Sequence, residues 1–159
     1  MNIKRTGTDC EIYIEGPVGE TSPLFRVDVK GLTRLVMDME KVTYMNSIGV
    51  KHWIVWTSQI GPKTQFILRN VPLMIVNQAG AVSGFLPLHC QIESFIAPYV
   101  CPKCGTESTT LMKLNQHYRY ANAKDPRHIE YPKLTCRKCQ TEMEPDFHES
   151  KAATFLDRR

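Results

Sequence analysis

The chain lacks any apolar stretch of the roughly 18 uninterrupted residues that a membrane span requires. Its start, from Met1 to Asp9, leads into no apolar signal-peptide core, so no secretory leader is expected. Charge of one sign is also in short supply. Twenty Lys and Arg against 16 Asp and Glu give a net charge of +4, well short of a dedicated nucleic-acid binder. There are no internal repeats, no low-complexity tracts and no glycine-rich phosphate loop. No nucleophile with a plausible base and no open three-ligand metal site is visible, so a non-enzymatic protein is expected. What is present is ordinary: 42% hydrophobic and 23% charged residues exclude disorder, collagen and coiled coil. A length of 159 residues suggests one domain, or one domain with a small appendage, in a cytoplasmic protein.

Six cysteines are too few for a disulfide-stapled scaffold, and their placement says more than their number. Four form close pairs, Cys101-Pro102-Lys103-Cys104 and Cys136-Arg137-Lys138-Cys139. Each C-x-x-C pair suits a tight turn that brings two thiolates to one ion, and two such turns complete a tetrahedron. Gly105 follows the first pair, where a positive φ is often wanted. The 31 residues between the pairs exceed the usual 15–20, but loop-closure entropy rises only slowly with length. A redox dithiol would be a single such pair within a βαβ pattern. The expectation is a structural Zn²⁺ held by Cys101, Cys104, Cys136 and Cys139. Cys10 and Cys90 are expected to be buried thiols on strands.

Composition shifts near Ala97-Pro98-Tyr99-Val100. Residues 1–98 carry a net charge of +1 and residues 99–159 a net of +3. Four thiolates on Zn²⁺ would remove two charges from the second segment, weakening a nucleic-acid reading. The division predicts a first domain over 1–98 and a small β-rich zinc ribbon with a tail helix over 99–159. In the first segment, Cys10 to Glu15 alternates and reads as a half-buried strand, followed by a turn at Gly16-Pro17-Val18-Gly19. Leu35 to Met39 suits a central strand covered on both faces. A largely buried helix is expected from Ser47 to about Gln59, stopped by Gly61-Pro62. Gln65 to Leu68 is the next strand. Asn70 can cap a second helix with Pro72 in its first turn, running toward Gly84. Cys90 to Phe95 alternates again. This order predicts an α/β fold, a mixed sheet with right-handed helical crossovers.

The stretch Leu35-Val36-Met37-Asp38-Met39-Glu40-Lys41-Val42-Thr43-Tyr44-Met45-Asn46-Ser47-Ile48-Gly49-Val50 resembles a STAS domain, the fold of bacterial anti-sigma-factor antagonists and of the cytoplasmic ends of sulfate transporters. It matches that family's apolar strand, short turn and Asp-Ser-x-Gly signature at a helix start, with Asn46 at the acidic position. Phe66 to Pro72 and Gln78-Ala79-Gly80 fit the family's next strand and helix in order, and the likeness covers residues 9–98. Glu20 to Leu32 is short and polar where the family often has a helix. The resemblance implies a signalling adaptor whose Ser47 is phosphorylated by a partner kinase that is also an anti-sigma factor, phosphorylation releasing the partner. A phosphate would place about −1.5 to −2 charges on the loop. In the alternative, Ser47 is a plain helix cap beside a turn-forming Gly49.

The expected partner-binding segment is therefore Asn46, Ser47, Ile48, Gly49 and Val50, facing an anti-sigma-factor-like or kinase-like protein. The alternative is a nucleic-acid-binding ribbon protein that uses the first domain for docking or dimerisation. Lys113-Leu114-Asn115-Gln116-His117-Tyr118-Arg119-Tyr120 interleaves basic and aromatic groups as single-strand binders do, but equally suits an exposed ribbon strand. Small-ligand sensing is a third reading with no pocket residues to name. Trp53 and Trp56, three apart in an apolar helix, are expected in the core, with His52 polar-facing. His117, His128 or His148 could replace a cysteine as ligand, although four cysteines make that unnecessary. Asp146 to Leu156 suits a short helix that covers the ribbon or packs on the main domain.

Overall fold

A computed structural model describes residues 1–157. Strands β1 (Asn2–Thr6) and β2 (Asp9–Val18) form an antiparallel hairpin across Gly7-Thr8. Gly7 takes φ 59° there, which glycine adopts without a Cβ penalty. β3 (Arg34–Met45), β4 (Gln65–Arg69) and β6 (Cys90–Ile92) then run parallel to β2, giving the order β1-β2-β3-β4-β6. Helix α1 (Ser47–Thr57) links β3 to β4, and α2 (Leu73–Ala81) lies between β4 and β6. All crossovers step the same way across the sheet, so right-handed connections put both helices on one face.

That face holds the core. Cys10, Ile12 and Ile14 of β2 and Leu35, Met37 and Met39 of β3 are buried with Trp53, Trp56, Ile75 and Val76. The opposite face of β2 shows Tyr13 and Glu15 to solvent, and β3 grades outward from buried Val36 through half-buried Asp38 to exposed Glu40. β3 is thus covered by helices on one side only. α1 is likewise less buried than its composition suggests, because Val55 (59% exposed) and Ile48 (46%) face outward. Both tryptophans are in the core, and each indole is satisfied. Trp53 donates to the Phe85 carbonyl (2.7 Å) and Trp56 to the Val27 carbonyl (2.9 Å). The polar-looking segment from Glu20 to Leu32 supplies Leu24, Val29 and Leu32 to this core and forms only a single 3-10 turn, Pro23–Arg26.

At Asn70 and Glu93 the chain changes sheets. β5 (Val71–Pro72) continues from β4 and β7 (Ser94–Val100) from β6, and the two pair in a second sheet. Asn70 sits at φ 52°; its amide donates to Asp38 Oδ2 (2.8 Å) and its N–H to Ser94 Oγ (2.9 Å). Asn70 therefore fixes the jog and does not cap α2, whose N-terminal boundary is Pro72. Arg69 and Glu93 pair beside it at 2.5 Å. The single strand expected over Cys90–Phe95 is two strands divided at Glu93.

β7 is the spine of the second sheet. β8 (Glu107–Lys113) pairs along its whole length, while β5 and β12 (Glu142–Pro145) meet it at residues 95–96 and 99–100; β11 (Leu134–Thr135) pairs with β12. The boundary that composition predicts between residues 98 and 99 lies inside this strand. A two-residue ladder joins β9 (Tyr118–Arg119) to β10 (His128–Ile129). The tail forms α3 (Glu149–Ala152) and a 3-10 turn, Thr154–Asp157, against α2. There Phe155 meets Phe95, Tyr118 and Tyr120 edge-on at 5.8–6.0 Å. The tail thus packs on the main helical layer.

Candidate metal centre and docking loop

The end of β7 delivers Cys101, and the turn after it delivers Cys104. Cys101 N–H donates to the Thr106 carbonyl (2.9 Å) and Gly105 N–H to the Cys101 carbonyl (2.9 Å). The second turn repeats this: Cys136 N–H donates to the Thr141 carbonyl (2.8 Å) and Gln140 N–H to the Cys136 carbonyl (2.9 Å). Gly105 (φ 68°) and Gln140 (φ 59°) occupy the same left-handed place in each. Gly105 is suited to it and Gln140 is strained by it.

The four Sγ atoms lie within 4.8 Å of one another. Cys101–Cys139, Cys104–Cys139 and Cys104–Cys136 are separated by 3.4, 3.5 and 3.6 Å. An ion with four thiolates at about 2.3 Å would set its sulfurs about 3.8 Å apart, so the group fits a small tetrahedral cation. Cys101 and Cys136 are buried and Cys104 and Cys139 half-buried. The Thr106 hydroxyl, 3.1 Å from Cys104 Sγ, together with its backbone N–H pushes that thiol down to about 6. Thr141, at 3.4 Å, lowers Cys139 in the same way, whereas burial pushes Cys101 up to about 11. The two threonines favour thiolates, the form that binds metal. Their one trace in the sequence is the repeated pattern Cys-x-x-Cys-x-Thr, which by itself does not assign the threonines a role.

Among the described residues, no histidine joins this group. His117 Nδ1 accepts from Lys113 N–H (3.0 Å), His128 lies near Glu130, and His148 precedes α3. His52 stands edge-on to Phe25. Cys10 and Cys90 are buried on β2 and β6, outside the cluster; burial pushes the Cys10 thiol up.

The segment Asn46–Val50 divides between two environments. Asn46 is the cap of α1, its Oδ1 accepting from Gly49 N–H (2.7 Å), so Ser47 is the first helical residue and not the cap. Asn46, Ser47 and Ile48 are exposed, as is Tyr44 just before them. Gly49 is buried against the Val18 backbone, so closely that a Cβ would collide with the Val18 carbonyl oxygen; it serves close packing, not a turn. Val50 is half-buried against the core.

The basic-aromatic stretch is not an exposed strand. Tyr118 is 1% exposed, and its hydroxyl donates to the Ile92 carbonyl (2.7 Å), while Tyr120 accepts from Ile92 N–H (2.8 Å). Burial pushes the Tyr118 phenol far upward. Its ring is committed to Phe95 and Phe155 and presents no face to a base. No helix among the described residues is long and apolar enough to cross a membrane.

No family model matches the chain, and comparison with curated proteins and with solved structures gives no match either.

Proposed function

We propose that the protein is a non-enzymatic signalling adaptor, similar in mode to the anti-sigma-factor antagonists, with a structural zinc ion in its four-cysteine centre. The partner, a protein of the anti-sigma-factor or kinase type, docks on Asn46, Ser47 and Ile48 at the start of α1. The observation that carries this reading is the exposure of Ser47 and Ile48 at a capped helix start, beyond the carboxyl end of a parallel strand. Asn46 already caps the helix, so the Ser47 hydroxyl is not committed to capping. A phosphate there would sit favourably at the helix N-terminus while adding about −1.5 to −2 charges to the docking surface. The exposed side chain of Ile48 supplies an apolar contact beside it.

Zinc is supported by the donor set: four sulfurs at tetrahedral spacing select a soft, four-coordinate ion. Metal analysis of the purified chain is expected to find one zinc per chain, lost in Cys136→Ser. The docking reading is tested by affinity capture of tagged wild-type and Ser47→Glu protein from native cells. A partner held by wild type and lost from Ser47→Glu supports both docking and the phosphate switch. Equal capture of one partner by both forms keeps the adaptor and removes the switch. Recovery of nucleic acid and ribonucleoproteins would replace the adaptor with a nucleic-acid reading.

A further inference from the structure

Among the described residues, β8 hydrogen-bonds along one edge, to β7. The ladder continues past both its ends, where Cys101 N–H donates to the Thr106 carbonyl and Leu114 N–H to the Glu93 carbonyl. Those two bonds set the phase of the antiparallel ladder. Even-numbered residues of β8 turn their N–H and C=O toward β7, and Glu107, Thr109, Leu111 and Lys113 turn theirs away. Lys113 is satisfied locally: its N–H donates to His117 Nδ1 (3.0 Å) and its carbonyl accepts from His117 N–H (2.8 Å). The outward N–H and C=O groups of Glu107, Thr109 and Leu111 have no backbone partner among the described residues.

The other edges carry the usual protection against strand addition. β1 has Lys4 and Arg5 among its five residues, β6 has only three residues, and the two-residue β11 follows Pro132-Lys133. β8 has no proline and no register shift, and it is uncharged from Ser108 to Met112. Its charges stand at its two ends and are opposite in sign, Glu107 and Lys113.

We propose that β8 is a homodimerisation edge, pairing antiparallel with β8 of a second copy about a twofold axis at Thr109. In this register Thr109 faces Thr109 of the partner copy, Ser108 faces Thr110 and Glu107 faces Leu111. Every free N–H of the three outward residues then meets a free carbonyl. Threonine opposite threonine is a favourable cross-strand pair, and Lys113 lies diagonal to Glu107 of the other copy on the same face. The strand is complementary to itself in both hydrogen bonds and charge, which singles out a second copy as its occupant. The result is one continuous sheet through both molecules.

The test is sedimentation of the full chain over a range of concentrations, with residue-resolved amide exchange. The expected result is a concentration-dependent dimer in which the amides of Glu107, Thr109 and Leu111 gain protection on association. Those of Ser108, Thr110 and Met112 are protected already in the monomer. Thr109→Pro removes an N–H that β7 does not use, at a site facing Pro98 in the ladder, so the monomer keeps its fold. It should weaken the dimer by at least about tenfold, two hydrogen bonds being lost per pair. Glu107→Lys should also weaken it, and Glu107→Lys with Lys113→Glu should restore it, a readout independent of the proline. A chain that stays monomeric at millimolar concentration overturns the proposal. So does a dimer indifferent to these variants, or a monomer whose same amides are protected only by another protein's extended peptide.

Discussion

The helix-covered sheet and the cysteine turns hold their backbone by different means. Around α1, Trp53, Trp56, Ile60 and Phe66 are 3% exposed or less, and apolar burial does the work. A buried side chain of that size contributes about 1.5–3 kcal/mol. Between residues 102 and 111, and again between 130 and 142, Cys136 is the one buried side chain. Those turns have backbone hydrogen bonds and sulfur but almost no core. Where apolar area is scarce, a bound metal is one of the staples that can replace it, and the proposed zinc would do so here. The contrast teaches that β7, shared by both, couples a layer held by apolar burial to one held by backbone hydrogen bonds around four clustered sulfurs.

Chelation breaks the comparison most severely. Structural zinc contributes about 10–16 kcal/mol in small metal-bound peptides. Removing it, or substituting Cys136→Ser, is expected to erase the amide resonances of both cysteine turns. The Trp53 indole resonance should survive, because its bond to Phe85 lies within the helical layer. Loss of the indole signal as well would show that the two regions fold as one.

The converse experiment is Trp53→Ala, expected to cost about 3–5 kcal/mol in thermal or denaturant unfolding. Bound metal per folded chain should be unchanged. Next is Gly49→Ala, whose methyl meets the Val18 carbonyl oxygen, a backbone atom that cannot rotate aside. About 1–3 kcal/mol is expected. Gly80→Ala, whose nearest obstacle is the Thr154 side chain, should cost less and should loosen the tail first.

Smaller effects separate capping from docking. Asn46→Ala should lose about 1 kcal/mol of stability with the bond to Gly49 N–H. Ser47→Ala should change stability by no more than about 0.5 kcal/mol. Equal losses in denaturant titration would return the cap to Ser47. The smallest effect concerns pH. Burial holds the His89 imidazole below its ordinary 6.5, so the unfolded chain takes up the proton first. Stability is expected to fall as pH drops below about 6.5, and His89→Phe should flatten that part of the curve measured by thermal unfolding.

Much of this was legible in residue order. Alternation marks β2 as far as Glu15, although the strand runs on through the expected turn to Val18; the apolar runs mark β3 and β4, and the cysteine spacing marks the four sulfurs that cluster, because each signal is local. Residue order marks the start of the helix at Ser47 but leaves its cap ambiguous by one residue. Both Asn46 and Ser47 are cap formers, and only the geometry at Gly49 chooses between them. The polar stretch from Glu20 to Leu32 concealed three core residues, since a few apolar side chains without a period leave no pattern. Tyr118 looked available because basic neighbours surround it in sequence, whereas its actual neighbours are Phe95 and Phe155.

By itself the sequence determined the order β2, β3, α1, β4 and α2, though not the leading strand β1, and it marked the four cysteines that cluster and the start of α1. These depend on hydrophobic period and short-range spacing, which survive in one dimension. Tertiary structure alone decided that two strands change sheets together at Asn70 and Glu93. It also decided that β7 belongs to both regions, that the tail lies on α2 and that β8 pairs with β7 alone among the described residues. Each depends on which backbone groups and rings meet across long separations, and pairing of that kind leaves no local trace for composition or period to record.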